Sequence, residues 1–112
     1  MSKNQGKDYS QSQERDIARL LNGRVQSNSG GTRFGGGDVH TKDFLIEAKT
    51  PTKEQTSFSV KKEWIDKMGT QAFEQGKCVS ALAFRFSPEG EDYFVINSRL
   101  MKLLVEYFET EL

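Results

Sequence analysis

The sequence predicts an α/β domain in which helices flank a mixed central β-sheet. Apolar residues recur at helical spacing in three separate segments, and shorter strand-like segments lie between those helices. Residues that favour turns, mainly Gly, Pro, Asn and Ser, stand at the junctions. The resulting order of helix, about three strands, helix, two strands and helix is typical of a sheet covered by helices.

The first helix is expected to begin at Ser10. This residue can cap the helix, and Gln13 stands three residues later as in a capping box. The expected apolar stripe consists of Ile17, Leu20 and Leu21. Asn22-Gly23 then ends the helix. Residues 1–9 are polar and are predicted to form a flexible tail, which leaves residues 10–112 as a single domain.

A glycine-rich segment separates this helix from the first long strand. Val25 begins a short extended segment, and residues 27–37 then contain five glycines in eleven residues, which predicts a loop or a hairpin turn. Residues 44–49 are strand-like, and Pro51 ends that strand. Alternation places two sets of side chains on opposite faces: Phe44, Ile46 and Ala48 on one, and Leu45, Glu47 and Lys49 on the other.

The second half of the chain predicts a helix, a hairpin and a last helix. Apolar residues in the segment 60–75 have helical spacing, and a glycine follows them. Residues 79–86 and 93–96 flank a strong turn signal, so we expect them to pair as an antiparallel hairpin. A capped helix is then predicted over residues 98–108.

Composition and charge exclude several classes of protein. No apolar run approaches the ~18 residues that span a bilayer, and the N-terminus lacks the apolar core of a signal peptide, so a cytoplasmic location is expected. The single cysteine, Cys78, excludes a disulfide framework and a cysteine-based zinc site, and is expected to be buried. The net charge is zero, yet residues 1–77 hold 13 Lys and Arg against 10 Asp and Glu. This excess of positive charge suits an anionic partner, although a solvated surface of mixed charge explains it better when the asymmetry is taken alone.

Three charged residues combine into a candidate site. Glu47 and Lys49 stand two residues apart, so a strand projects both from the same face. Asp38 directly follows three glycines, and a hairpin between its segment and the strand would bring its carboxylate beside Glu47. Two carboxylates with the backbone carbonyl of Ala48 and water form an oxygen-only ligand set, which suits Mg²⁺, with Mn²⁺ as a substitute.

This group of residues has the parts needed to hydrolyse a phosphodiester. A hard cation polarises the phosphate, and a lysine orients the attacking water or offsets the charge that develops in the transition state. Lys49 is placed for that role. Glu14 is a further catalytic candidate and a candidate metal ligand, because Ile17 and Leu21 put it on the inward side of the first helix. The alternative for Glu14 is an acid favoured by the helix dipole.

Gly37-Asp38-Val39, followed by Leu45-Ile46-Glu47-Ala48-Lys49, resembles the GD…hhExK motif of the PD-(D/E)XK nucleases. The resemblance implies a restriction-endonuclease-like core, and it extends over roughly residues 12–97. Within that superfamily the chain is most similar to the archaeal and phage Holliday junction resolvases. Their helix-one glutamate and Ser-Gly loop correspond here to Glu14 and Ser29-Gly30.

Several residues around this motif are candidates for contact with DNA. The loop could hold phosphate through the backbone of Ser29 and Gly30, with Arg33 adding charge. Lys53, Lys61 and Lys62 follow the catalytic strand and could grip the phosphate backbone, although they are as readily a solvated face. Trp64 has the spacing of a core residue, with base stacking as the alternative.

The sequence therefore predicts a Mg²⁺-dependent endonuclease that cuts branched DNA, most specifically four-way junctions, in a bacterial or phage-infected cell. Paired cuts in a junction require two active sites, so a homodimer is expected. Its interface is predicted on the last helix, at Leu100, Leu104 and Phe108 with Met101 and Val105 beside them. The alternatives are another restriction-like or flap-type nuclease and a non-catalytic DNA-binding domain.

Overall fold

The computed structural model describes residues 5–26 and 38–111, and within them the chain is an α/β protein with five strands and three helices. The elements in chain order are α1 (Gln5–Leu21), β1 (Arg24–Gln26), β2 (Asp38–His40), β3 (Phe44–Lys49), α2 (Lys62–Glu74), β4 (Val79–Phe84), β5 (Tyr93–Val95) and α3 (Ser98–Glu111). This order agrees with the predicted order of helices and strands.

The strands form one mixed sheet in the spatial order β1-β2-β3-β4-β5. Strands β1, β2 and β3 pair antiparallel, as do β4 and β5. Strands β3 and β4 pair parallel, and α2 makes the crossover between them. The predicted hairpin between β4 and β5 is therefore confirmed, although both strands end earlier than expected.

The two faces of the sheet are covered by different helices. The cluster beneath α1 consists of Ile17, Val39, Ile46, Ala48, Ala81 and Ala83. On the opposite face Leu45 and Leu82 are buried, and α2 contributes Met68 and Ala72. Because side chains alternate along β3, Glu47 and Lys49 lie on the α2 face.

Helix α1 differs from its prediction in its start and in its buried face. It begins at Gln5 rather than Ser10, so residues 5–9, predicted as part of the N-terminal tail, are helical. Leu20 is 66% exposed, whereas Gln13 and Glu14 are buried. Gln13 can face the sheet because it bonds to Asp92 and Thr50, both distant in sequence, and the Glu14 carboxylate accepts a hydrogen bond from the Ser10 hydroxyl one turn earlier.

The end of α1 is confirmed at Asn22-Gly23. Asn22 adopts the left-handed conformation, with a φ of 56°, as helix-terminating residues often do. A Cβ atom at Gly23 would lie 2.6 Å from the carbonyl oxygen of His40. Only glycine allows the chain to leave α1 this close to β2.

Other expectations about exposure are wrong. Cys78 is exposed rather than buried. Phe73, one of the apolar residues whose helical spacing predicted a buried face in the segment 60–75, is 85% exposed. Helix α3 is three residues longer than predicted and makes no substantial contact with the other helices and strands of the described segments.

Among the described residues, no helix has the length and apolar character needed to cross a membrane.

Candidate active site

The β2–β3 hairpin brings the two predicted carboxylates face to face. In the antiparallel register Asp38 pairs with Glu47, Val39 with Ile46, and His40 with Leu45. Directly opposed residues of this kind share one face of the sheet and hold their Cβ atoms ~5 Å apart. The hairpin expected from the sequence is therefore confirmed, and both carboxylates lie on the α2 face.

Lys49 lies between a carboxylate and an aromatic ring. Its Nζ atom is 3.5 Å from Oε2 of Glu47, and both side chains are largely buried. On another side the same Nζ atom lies 4.3 Å from the centroid of the Trp64 ring. Trp64 belongs to the first turn of α2, so strand β3 and helix α2 together surround the ammonium group.

Glu14, on α1, acts electrostatically on Asp38. It is 4% exposed, and its Oε2 atom accepts a hydrogen bond of 3.0 Å from the Ser10 hydroxyl one turn earlier. Its negative charge acts on Asp38, whose pKa it raises. The prediction that Glu14 faces inward is confirmed, and Ser10 orients its carboxylate rather than capping the helix.

Three acids therefore interact at Asp38. The pKa of this carboxyl rises from 3.8 to about 6, first because burial disfavours its charged form and then because of the charges of Glu47 and Glu14. Lys49 and Lys67 act in the opposite direction but do not cancel the effect. The site concentrates negative charge that a bound cation would relieve.

The oxygen donors of this site fit Mg²⁺ in chemistry, but the described part of the chain contains no preformed three-ligand centre. Within residues 5–26 and 38–111, no three His, Cys, Asp or Glu side chains converge closely enough to hold a metal ion. A magnesium site here would use the carboxylates of Asp38 and Glu47. Mg²⁺ commonly takes one or two carboxylates and completes its shell with water and substrate oxygens. The carbonyl of Ala48, between Glu47 and Lys49, remains a candidate ligand.

A buried polar network fixes α1 against the strand ends that carry the site. Gln13 is fully buried, donates a 2.9 Å hydrogen bond to Asp92 and accepts one from the Thr50 hydroxyl directly after β3. Arg85 donates two hydrogen bonds of 2.8 Å to the same Asp92 and one of 3.0 Å to Asp16 on α1. Because Glu14 lies between Gln13 and Asp16, this network sets its position.

The residues predicted to contact DNA are placed unequally. Ser29, Gly30 and Arg33 lie outside the described residues. Lys61 precedes α2 with its Nζ atom 5.4 Å from the Trp64 ring centroid, so it stands at the rim of the site. Lys62 is exposed and pairs with Asp66 at 2.7 Å, and Lys53 is exposed in the segment between β3 and α2.

Sequence reasoning missed three contributors to the site. Lys67 lies close enough to Asp38 to lower the pKa of that carboxyl. The sequence could have indicated this, because Lys67 stands one helical turn after Trp64 on α2. The contact between Trp64 and Lys49 joins residues of different elements and had no local signal. Gln13 stands four residues before Ile17, which placed it on the inward face from the start.

Neither a scan against models of protein families nor searches of curated proteins and of solved structures find a match to this chain. The function must therefore be inferred from the geometry and chemistry of its own residues.

The raised pKa of Asp38 makes a prediction about stability without metal. The pKa of Asp38 is near 6 in the folded protein and 3.8 in the unfolded chain, so the folded state binds the proton more tightly. The contribution of this carboxyl to folding stability is therefore fully present below pH 3.8 and is lost as pH rises through 6. Ionised Asp38 thus destabilises the fold at neutral pH. Asp38→Asn should raise the free energy of unfolding near neutral pH. The gain should be about 1 kcal/mol, because the carboxyl is partly exposed and water screens part of the electrostatic repulsion.

Urea unfolding in EDTA, at neutral pH and again below pH 3.8, checks this expectation. The gain should disappear at the lower pH, where the wild-type carboxyl is already neutral. Asp43→Asn, an exposed acid in the turn of the same hairpin, should produce no gain at either pH. A gain for Asp38→Asn that is equal at both pH values would contradict the electrostatic explanation.

Proposed function

We propose that this protein is a metal-dependent endonuclease of the PD-(D/E)XK type that cuts branched DNA. One observation supports the proposal above all others. Asp38 and Glu47 stand opposite each other in the hairpin, with Lys49 on the same face and the buried Glu14 within electrostatic reach. Acids collected beside a lysine suit cation-assisted hydrolysis of a phosphodiester.

The proposal extends to a restriction-endonuclease-like fold. The motif residues lie on β2 and β3, a helix follows, and β4 then joins the sheet parallel to β3. Helix α1 packs on the face opposite α2 and supplies the additional glutamate. This order supports the proposal, because the resemblance in sequence extends to the order of elements.

Each residue of the site would have its own role. Mg²⁺ held by Asp38 and Glu47 would supply Lewis acidity toward the scissile phosphate and a more acidic water. The Lys49 ammonium would offset the negative charge that develops on the phosphate during attack. Glu14, oriented by the Ser10 hydroxyl, would help to hold the water near Asp38.

The proposed substrate is a four-way DNA junction. Two lysines add positive charge near the acidic site: Lys61, just before α2, lies beside Trp64, and Lys67, within α2, lies near Asp38. These lysines would bind phosphates of the DNA backbone, while the carboxylates of the site would act at the scissile phosphate. Ser29, Gly30 and Arg33, which lie outside the described residues, are proposed to add further phosphate contacts.

Incubation with a synthetic four-way junction tests the proposal. Cleavage should require Mg²⁺ or Mn²⁺, whereas Ca²⁺ should support binding without cutting because it is larger and activates water less well. Sequencing gels read the cuts, and gel shifts in Ca²⁺ read the binding. Full activity in excess EDTA would exclude a metal-dependent mechanism.

The same assay separates the alternatives when junction, flap, linear duplex and single-stranded DNA are compared. Preferential cutting of flap or linear duplex would identify another nuclease of the same chemistry. Binding without cleavage of any substrate, in Mg²⁺ and in Mn²⁺, would identify a non-catalytic DNA-binding domain.

We also propose that the protein acts as a dimer through α3. Its large apolar residues are exposed in the monomer, with Met101 at 52% and Phe108 at 57%. Arg99 and Lys102 occupy the first half of the helix, whereas the acids Glu106 and Glu109 occupy the second. This distribution of charge is unfavourable with respect to the helix dipole. In an antiparallel pair of α3 helices, the basic half of one copy would lie beside the acidic half of the other, which would offset the unfavourable interaction.

Sedimentation at micromolar concentration should show a dimer, and Leu104→Glu should convert it to a monomer by placing a charge on the apolar face. Thr110→Glu adds the same charge on the polar side of α3 and should leave the dimer intact. The wild-type dimer should linearise a plasmid-borne cruciform by near-simultaneous nicks. A wild-type monomer that releases singly nicked circles would count against both the dimer and the junction as substrate.

A further inference from the structure

Lys49 is a flexible side chain that the structure holds at two points. Its Nζ atom lies 3.5 Å from a Glu47 oxygen and 4.3 Å from the centroid of the Trp64 ring. An ammonium over the face of an indole is attracted by the negative charge of the π system, and tryptophan is the strongest such partner among the aromatic residues. The Glu47 carboxylate fixes one direction of approach, and the indole ring fixes another.

The indole ring is itself fixed by other aromatic side chains. Phe58 lies 6.0 Å from Trp64, centroid to centroid, and stacks on Phe84 at 4.5 Å. Phe84 is the residue of β4 that pairs with Lys49 in the parallel register. The ring that faces the lysine is therefore supported by the strand beside that lysine, which limits movement of the ring without involving the carboxylates.

A second lysine approaches the same ring. The Nζ atom of Lys61 lies 5.4 Å from the Trp64 centroid, farther away than that of Lys49. Lys61 is exposed, whereas the Lys49 side chain is 26% exposed. A cation–π interaction is more stabilising where water is excluded, so the contact of Trp64 with Lys49 is stronger than its contact with Lys61.

We infer that Trp64 is a positioning residue for Lys49: its ring face holds the ammonium beside Glu47, in the place from which it acts on the scissile phosphate. The role rests on the proposed nuclease function. A lysine has many rotamers, and confining its ammonium before the reaction removes an entropic cost from the catalytic step. Loss of the ring contact should therefore lower kcat and leave the KM for DNA nearly unchanged.

Fluorinated tryptophan tests this inference in the full-length protein. Trp64 is the only tryptophan in the chain, so each analogue is incorporated at that position alone. Mono-, di- and trifluorotryptophan progressively reduce the negative charge on the face of the ring with little change in its shape. We expect kcat to fall stepwise, by about tenfold over the series, while KM stays within about twofold. Unchanged kcat across a folded series would overturn the inference.

A second measurement does not depend on cleavage. Proton NMR of the metal-free protein should show the Lys49 ε-methylene shifted upfield by the indole ring current, with the shift lost in Trp64→Leu and reduced as fluorination loosens the contact. Absence of the upfield shift in the wild type would overturn the inference. If the shift behaves as expected and no substrate is cut, the ring contact stands and the nuclease proposal fails.

A matched control uses the same helix. Phe73→Leu removes an aromatic ring from α2 at a site that is 85% exposed. It should change neither kcat nor the Lys49 resonance. An equal loss of kcat in Phe73→Leu would show that the effect comes from a general disturbance of α2, which would also overturn the assignment of Trp64.

Discussion

Asp38→Asn, Glu47→Gln and Lys49→Ala are each expected to lower Mg²⁺-dependent cleavage of a four-way junction by at least about a hundredfold. Asp38 and Glu47 are opposed in the hairpin, so either change removes one of two carboxylates that would hold the cation. Lys49→Ala removes the positive charge paired with Glu47. Single-turnover cleavage at saturating metal measures the chemical step, and gel shifts in Ca²⁺ should show that binding survives.

The hairpin also provides the controls for these variants. Lys42→Ala and Asp43→Asn change exposed residues of the same types in the β2–β3 turn, away from the opposed carboxylates, and should leave cleavage within about twofold of wild type. Near-wild-type turnover in any of the three site variants would remove that residue from the catalytic assignment. Asp38→Asn has a second signature, because it should lose activity while the metal-free protein gains stability at neutral pH.

The sequence predicted the hairpin because its signals are local. Alternation over residues 44–49, the glycines before Asp38 and the break at Pro51 determine where β3 runs and which residues share a face. The opposed register of Asp38 and Glu47 then follows from pairing two neighbouring strands. Glu14 was predictable for the same reason, since helical spacing from Ile17 places it inward.

The parts that could not be predicted depend on partners distant in the sequence. Leu20 looked like a core residue, but α1 faces the sheet with Gln13 and Glu14 and leaves Leu20 exposed. Those polar groups can be buried because Asp92 and Thr50, both far along the chain, bond to Gln13. Arg85 falls inside an apolar strand segment, and nothing near it indicated that its buried guanidinium would bond to Asp16, 69 residues away.

Arg85 carries the other large expected effect, on stability rather than catalysis. The residue is 3% exposed and donates to Asp92, Asp16 and the Pro88 carbonyl. The hydrogen bonds to Asp92 and, second, to Asp16 raise the pKa of its guanidinium. Asp92 is also largely buried, with 9% of its side chain exposed. A buried carboxylate that loses its guanidinium keeps its desolvation cost without the compensating charge.

Arg85→Met should therefore lower the free energy of unfolding by about 3 kcal/mol or more, a large share of the ~5–15 kcal/mol of a typical domain. Urea unfolding followed by circular dichroism measures it. Arg19→Met is the matched control: Arg19 also pairs with Asp16, at 3.5 Å, but its side chain is 77% exposed, so the loss should stay below about 0.5 kcal/mol.

If Arg85→Met does not fold at all, Arg85→Lys keeps the charge but loses the two-pronged contact with Asp92, and an intermediate loss should be measurable. Because Gln13 shares Asp92 with Arg85, a folded variant should also lose some cleavage as α1 and Glu14 shift relative to Asp38. Activity and stability should then fall together, the opposite of the behaviour expected for Asp38→Asn. A loss below about 1 kcal/mol for Arg85→Met would show that the contacts of Arg85 with Asp92 and Asp16 do not hold α1 in place.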